Sequence, residues 1–78
     1  MNVIQRGQAA EELMRHPLLV ETLELVERAI IEQWADTTDN NLREELYYTL
    51  QGQRRFKTVL DAAIQNGKLE AHLGESNE

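Results

Sequence analysis

Few side chains in this sequence have the type and spacing that catalysis or metal binding requires. The only serine is Ser76, the two histidines His16 and His72 are far apart, and cysteine is absent. The carboxylate pairs Glu11-Glu12 and Glu44-Glu45 are adjacent, so their side chains diverge on a helix, whereas the carboxylates of an active site must converge. We therefore expect no catalytic residue, no cofactor site and no metal site, and a protein that is not an enzyme.

The only basic and aromatic cluster offers binding rather than catalysis, and comprises Arg54, Arg55, Lys57 and Tyr48. Three cations within four residues could contact the phosphates of a nucleic acid. They could equally pair with glutamates of the same chain or with an acidic partner surface, and the net charge of −6 favours these two interpretations. Tyr48 lies off the main apolar stripe, as aromatic side chains at interfaces often do. These four residues are the candidate partner-binding residues.

Gln53 is an amide in the middle of an otherwise apolar stripe, and it follows Gly52. A buried amide that lacks partners costs about 1–3 kcal/mol. One interpretation is a core glutamine bonded to a neighbouring backbone carbonyl. The other is a helix crossing, where Gly52 admits a close approach and Gln53 fixes the register across an interface.

The elements that position these residues must fit within one small domain. The 78 residues, 41% of them hydrophobic, predict a single helical domain over 1–78. A core of this size supplies only about 3–5 kcal/mol, and no disulfide can add to it. No stretch approaches the roughly 18 apolar residues of a membrane span, and the first residues lack the pattern of a secretory signal. We expect a soluble protein in a reducing compartment.

A proline divides the first half of the chain into two predicted helices. Pro17 suits the first position of a helix and disfavours helix at His16, so a short helix over 8–15 precedes a second over 17–36. The apolar residues of the second helix cover roughly 240° of its circumference, against roughly 100° for an ordinary surface helix. One partner helix cannot cover so wide an arc. The candidate self-association residues are Leu19, Leu23, Val26, Ile30, Gly52 and Gln53.

A polar segment over 36–41 separates the second helix from a third over 40–66. Its Thr, Asp and Asn residues are suitable N-caps, and a short connection favours antiparallel neighbours. Asn66-Gly67-Lys68 has the glycine of a helix C-cap, so Leu69 and Leu73 would form a separate turn before a frayed tail over 74–78. The predicted fold class is all-α, an antiparallel helical hairpin with a short N-terminal helix, completed by oligomerisation.

Several of these segments follow one another in a recognisable order between Ala9 and Leu73. An Ala/Glu/Leu-rich turn leads to His16-Pro17-Leu18, and an acidic helix ends in Gln33-Trp34. After a Thr/Asp/Asn loop come Leu42-Arg43-Glu44-Glu45-Leu46-Tyr47 and then Asn66-Gly67-Lys68-Leu69. This order resembles small helical-hairpin proteins encoded by tailed bacteriophages, often among structural and packaging genes. The resemblance implies a phage assembly or accessory protein in the host bacterial cytoplasm or the virion, and it assigns no functional residue.

Three functions are compatible with the sequence. The wide apolar arc favours a non-catalytic, self-associating helical interaction protein. A small nucleic-acid-binding packaging or regulatory protein would use the basic cluster, but the connection lacks the glycine often found in a helix-turn-helix. An inhibitor or adaptor of a host protein would use the acidic second helix. The expected partners are a second copy, another phage protein or a host protein; nucleic acid is disfavoured and no membrane is expected.

Overall fold

Three helices make up the part of the chain that the computed structural model describes, residues 1–76. They are α1 (Val3–Arg15), α2 (Pro17–Asp36) and α3 (Asn40–Ser76). No strand occurs within residues 1–76, so the prediction of an all-α fold is confirmed.

The first helix begins at Val3, five residues before the predicted start at Gln8. The side chain of Asn2 accepts a hydrogen bond from the Gln5 amide (2.8 Å), and the Gln5 side chain accepts one from the Asn2 amide (3.1 Å). This reciprocal capping box satisfies two amides that would otherwise lack partners. The predicted range of 8–15 was therefore too short, because the cap lies upstream of it.

Extended backbone at His16 (φ −74°, ψ 115°) separates α1 from α2, and Pro17 occupies the first turn of α2. At the other end of α2, residues 37–39 lead directly into α3. The Asp39 carboxylate accepts hydrogen bonds from the amides of Asn41 (3.0 Å) and Leu42 (3.4 Å), so Asp39 is the residue that caps α3.

The third helix continues through the predicted stop at residues 66–68 and ends at Ser76. Gly67 does not have a positive φ; it is helical and buried. The predicted end at Asn66 is therefore wrong, because Gly67 allows another helix to approach rather than ending its own. Leu69 and Leu73 lie on α3 as well. The predicted frayed tail over 74–78 is helical as far as Ser76, and Asn77 and Glu78 lie outside the described residues.

α1 packs on the second half of α3, and α2 packs on its first half. Gly7 contacts Gly67, the Leu23 carbonyl is bonded to Gln53, and Arg43 stacks on Trp34. The molecule is consequently long and only two helices thick, with extents of 60 × 23 × 18 Å.

Such a shape encloses very little. The buried hydrophobic residues are Ala10 (3% exposed), Ile30 (8%) and Leu46 (8%). The radius of gyration is 17.1 Å, whereas about 11.5 Å is typical of a compact chain of this length. Most large apolar side chains therefore lie at the surface.

Candidate functional site

One line of residues on α3 contacts α2 along its first part and α1 along its second part, and α2 meets it with one line of its own. We call these two lines, on α3 and α2, the inner seam. On both helices the spacing alternates between three and four residues, the period of coiled-coil packing. Apart from Lys57 and Trp34, all of these residues are buried or half-buried. The residues are Val20, Leu23, Glu27, Ile30 and Trp34 on α2, and Leu46, Leu50, Gln53, Lys57, Leu60, Ile64, Gly67 and Ala71 on α3.

The inner seam divides the candidate self-association residues into two groups. Leu23, Ile30 and Gln53 belong to the inner seam, so they are used within the chain itself. Leu19, Val26 and Gly52 lie beside it: Val26 is 45% exposed, and a Cβ added to Gly52 would meet no atom within 4 Å. Val26 and Gly52 of this second group are exposed and offer surface to another molecule.

Gln53 makes one of its possible side-chain hydrogen bonds. Its amide nitrogen donates to the Leu23 carbonyl oxygen (2.5 Å), whereas its Oε1 is buried and accepts no hydrogen bond. The bond to the Leu23 carbonyl is the kind that the first interpretation, a core glutamine bonded to a backbone carbonyl, expects. The close approach does not occur at Gly52, however, since nothing within the chain lies against it.

Replacing Gln53 with leucine is expected to raise the free energy of unfolding by about 1 kcal/mol. The change removes a buried acceptor without a partner, and the Leu23 carbonyl keeps the amide of its own helix as a partner. Urea denaturation measures the change, and Gln51→Leu at an exposed position of α3 is the matched control. A loss of stability specific to position 53 would show instead that the Oε1 of Gln53 is bonded in solution.

The candidate partner-binding residues do not form one basic patch. Arg54 is paired with Glu27 across the inner seam (3.1 Å). Within residues 1–76 no ion pair involves Arg55 or Lys57. Lys57 lines a pocket together with Glu24 and Glu27, so two carboxylates lie near this cation. Pairing within the chain, one of the two interpretations favoured from the net charge, therefore accounts for Arg54.

Aromatic side chains gather near residues 37–39. The Arg43 guanidinium lies 3.9 Å from the centre of the Trp34 ring, a cation–π contact that holds the end of α2 on α3. Tyr47 and Tyr48 meet edge to face, with ring centres 5.6 Å apart. Beside them lies a groove of about 260 Å³, which we call the aromatic groove. Its lining residues are Ile30, Ile31, Trp34, Leu46, Tyr47, Leu50 and Arg54.

The closest helix contact was not predicted, because it depends on residues that lack side chains. A Cβ built on Gly7 would lie 2.8 Å from the Ala63 carbonyl oxygen and 2.9 Å from the Gly67 Cα. Ala10 is buried beside this crossing of α1 and α3. A sequence signal did exist: Ala63, Gly67 and Ala71 repeat every four residues, the small-residue spacing that lets two helix backbones approach.

Residues 1–76 contain no group of three His, Cys, Asp or Glu side chains placed to hold a metal ion. None of the described helices is both long enough and apolar enough to cross a membrane. Compared with known proteins, the chain matches no family model, no curated protein and no solved structure.

Proposed function

We propose that this chain is a non-catalytic helical interaction protein that works by self-association. In this proposal α2 and α3 form an antiparallel hairpin with α1 as its leading helix, and a second copy completes the fold. The observation that carries the proposal is the shortage of buried apolar residues in a chain whose α1 and α3 are capped by side chains and continuous.

The accessible surface area supports the proposal quantitatively. The chain exposes 6248 Å², whereas a compact folded monomer of 9.0 kDa exposes about 4,900 Å². The excess of about 1,300 Å² is larger than the roughly 800 Å² that each partner buries in a standard protein interface. Covering one face of this flat, two-helix molecule with another protein would remove the excess accessible surface.

The resemblance to phage-encoded hairpin proteins adds a setting to the proposal: an assembly or accessory role in the bacterial cytoplasm or the virion. Nucleic-acid binding has less support, because the ion pair of Arg54 with Glu27 leaves two of the three cluster cations available. Binding to a host protein would use the same exposed apolar residues, and it is distinguished by experiment.

Sedimentation equilibrium and circular dichroism on the purified chain test the proposal together. We expect a mass of at least twice 9.0 kDa and a melting temperature that rises with protein concentration, because association stabilises only the folded state. A fully helical chain that stays monomeric, with a melting temperature independent of concentration, would contradict self-association and leave the host-protein alternative.

A further inference from the structure

α2 and α3 each carry a second line of residues that the chain itself does not cover. Each line has the three-and-four spacing of the inner seam and lies one residue towards the N-terminus from it. We call the two lines together the second seam. Its residues are Leu19, Thr22, Val26, Ala29 and Gln33 on α2, and Glu45, Thr49, Gly52, Phe56 and Val59 on α3.

Both lines of the second seam lie on the same face of the molecule. A shift of one residue turns a helix by about 100°. α2 and α3 run in opposite directions. Moving one residue towards the N-terminus from the inner seam therefore leads to the same face of the molecule on both helices. The aromatic groove and the ion pair of Arg54 with Glu27 lie on the other side.

This face is mostly apolar and open. Apart from Leu19, which is half-buried, every residue of the second seam is exposed, including Val26 (45%) and Phe56 (52%). Glu45, at one end, is its only charged residue. The opposite face, in contrast, carries Glu24, Glu27 and Arg54 along its middle. The second seam is therefore the face that a partner can cover while removing only one ionised group, Glu45 at its end, from water.

We propose that a second copy of this chain covers the second seam, with α2 of each copy packed on α3 of the other around a two-fold axis parallel to the helices. This inference rests on the proposed self-association and specifies its geometry. The result is a four-helix arrangement in which every helix is antiparallel to both of its neighbours.

The register within the chain fixes which residues would meet. Rotation about a two-fold axis parallel to the helices does not change the position of a residue along that axis. Each residue of α2 therefore lies at the same level relative to the partner's α3 as relative to the α3 of its own chain. Within the chain, Leu23 is level with Gln53 and Trp34 with Arg43. Along the helix axis, each second-seam residue of α2 then lies within about 3 Å of the level of one second-seam residue on the partner's α3. The pairs are Leu19 with Val59, Thr22 with Phe56, Val26 with Gly52, Ala29 with Thr49, and Gln33 with Glu45.

Side-chain sizes in these pairs are complementary. Phe56 meets Thr22, and Val26 meets Gly52, so in both pairs a larger side chain faces a smaller one, as interdigitated packing requires. The pair of Gln33 with Glu45 places an amide donor opposite a carboxylate at the end of the seam. Within the single chain, no other residue fills the space beside Gly52. In the proposed dimer the partner's Val26 fills it.

Charge selects a second copy packed in this order over one in which α2 faces α2. Beside the second seam, on the side away from the inner seam, α2 carries Glu21, Arg28 and Glu32, whereas residues 51–60 of α3 carry Arg55 there. Placing α2 on the partner's α3 brings Arg55 beside the net acidic edge of α2, whereas α2 against α2 brings two net acidic edges together. Large apolar residues at the same edges, Leu18 and Leu25 on α2 and Tyr48 on α3, are also exposed within the single chain.

The test is Gly52→Val, with Gly74→Val as the matched control. A Cβ built on either glycine would meet no atom within 4 Å beyond the neighbouring backbone of its own helix, so both variants should fold. In the proposed dimer, Gly52→Val places the new side chain against the partner's Val26, and the two-fold symmetry makes this contact occur twice. We therefore expect the dissociation constant to rise by at least about tenfold. Sedimentation equilibrium should show wild-type association for Gly74→Val.

Mixing Gly52→Val with Val26→Ala gives the complementary test. In the mixed dimer one contact is native and the other pairs the new valine with alanine, so mixed dimers should exceed both homodimers in native mass spectrometry. Wild-type association of Gly52→Val would overturn this geometry while leaving self-association intact. A monomeric wild-type chain would instead overturn the proposed function on which this inference rests.

Discussion

Replacing Gly7 with valine is expected to detach α1 from α3. The first new carbon alone would lie 2.8 Å from the Ala63 carbonyl oxygen, and backbone atoms cannot rotate away as a side chain can. Overpacking of this kind costs about 1–3 kcal/mol or more. A helix of 13 residues is only marginally stable when it is not packed on a partner, so we expect residues 3–15 to lose their helical structure.

Amide hydrogen exchange of α1 measures this loss directly, and a lower melting temperature should accompany it. Gln8→Val is the control, because it adds the same side chain to the exposed neighbouring position of the same helix. If Gly7→Val protected the amides of α1 as well as Gln8→Val does, the close crossing at Gly67 would not exist in solution.

Truncating Ile30 to alanine is expected to cost about 2–3 kcal/mol, because the side chain is buried and its removal leaves a cavity between α2 and α3. The loss is a large part of the stability that a domain of this size has. Since folding and association are coupled, the variant should also associate more weakly than the wild-type chain.

The neighbouring isoleucine supplies a matched control. Ile31 is 44% exposed and lines the aromatic groove, so Ile31→Ala should cost less than about 1 kcal/mol. Urea denaturation of both variants at one protein concentration gives the comparison. An Ile31→Ala variant that loses as much as Ile30→Ala would show that a partner covers the aromatic groove rather than the second seam.

Local sequence signals located the two breaks between the helices. Pro17 marks the start of α2 because its ring fixes φ and disfavours helix at the residue before it. The polar residues before α3 include Asp39, whose carboxylate caps it. The start of α1 also had a local signal, since Asn2 and Gln5 have the spacing of a capping box. Such signals act through neighbouring residues and can be identified in one sequence.

Gly67 shows where local signals become ambiguous. A glycine followed by lysine is typical of a helix end, but a glycine on a packed face also permits close approach of a second helix. The choice depends on Gly7, 60 residues away, which the sequence does not place. The candidate site was ambiguous in the same way. The wide apolar arc of α2 includes two lines of residues, one that begins at Val20 and one that begins at Leu19. The ion pair of Glu27 with Arg54 shows that the line of Val20 faces α3 within the chain.

The contact of α1 with the second half of α3 also has a consequence for biosynthesis. α1 leaves the ribosome well before residues 63–71, which hold it in the folded chain. α2 and the start of α3 are joined by three residues and can pair early, whereas α1 must wait for a distant contact. Translation products that stop before residue 63 would expose α1 without its docking site, making them targets for proteases that distinguish unfinished from finished chains.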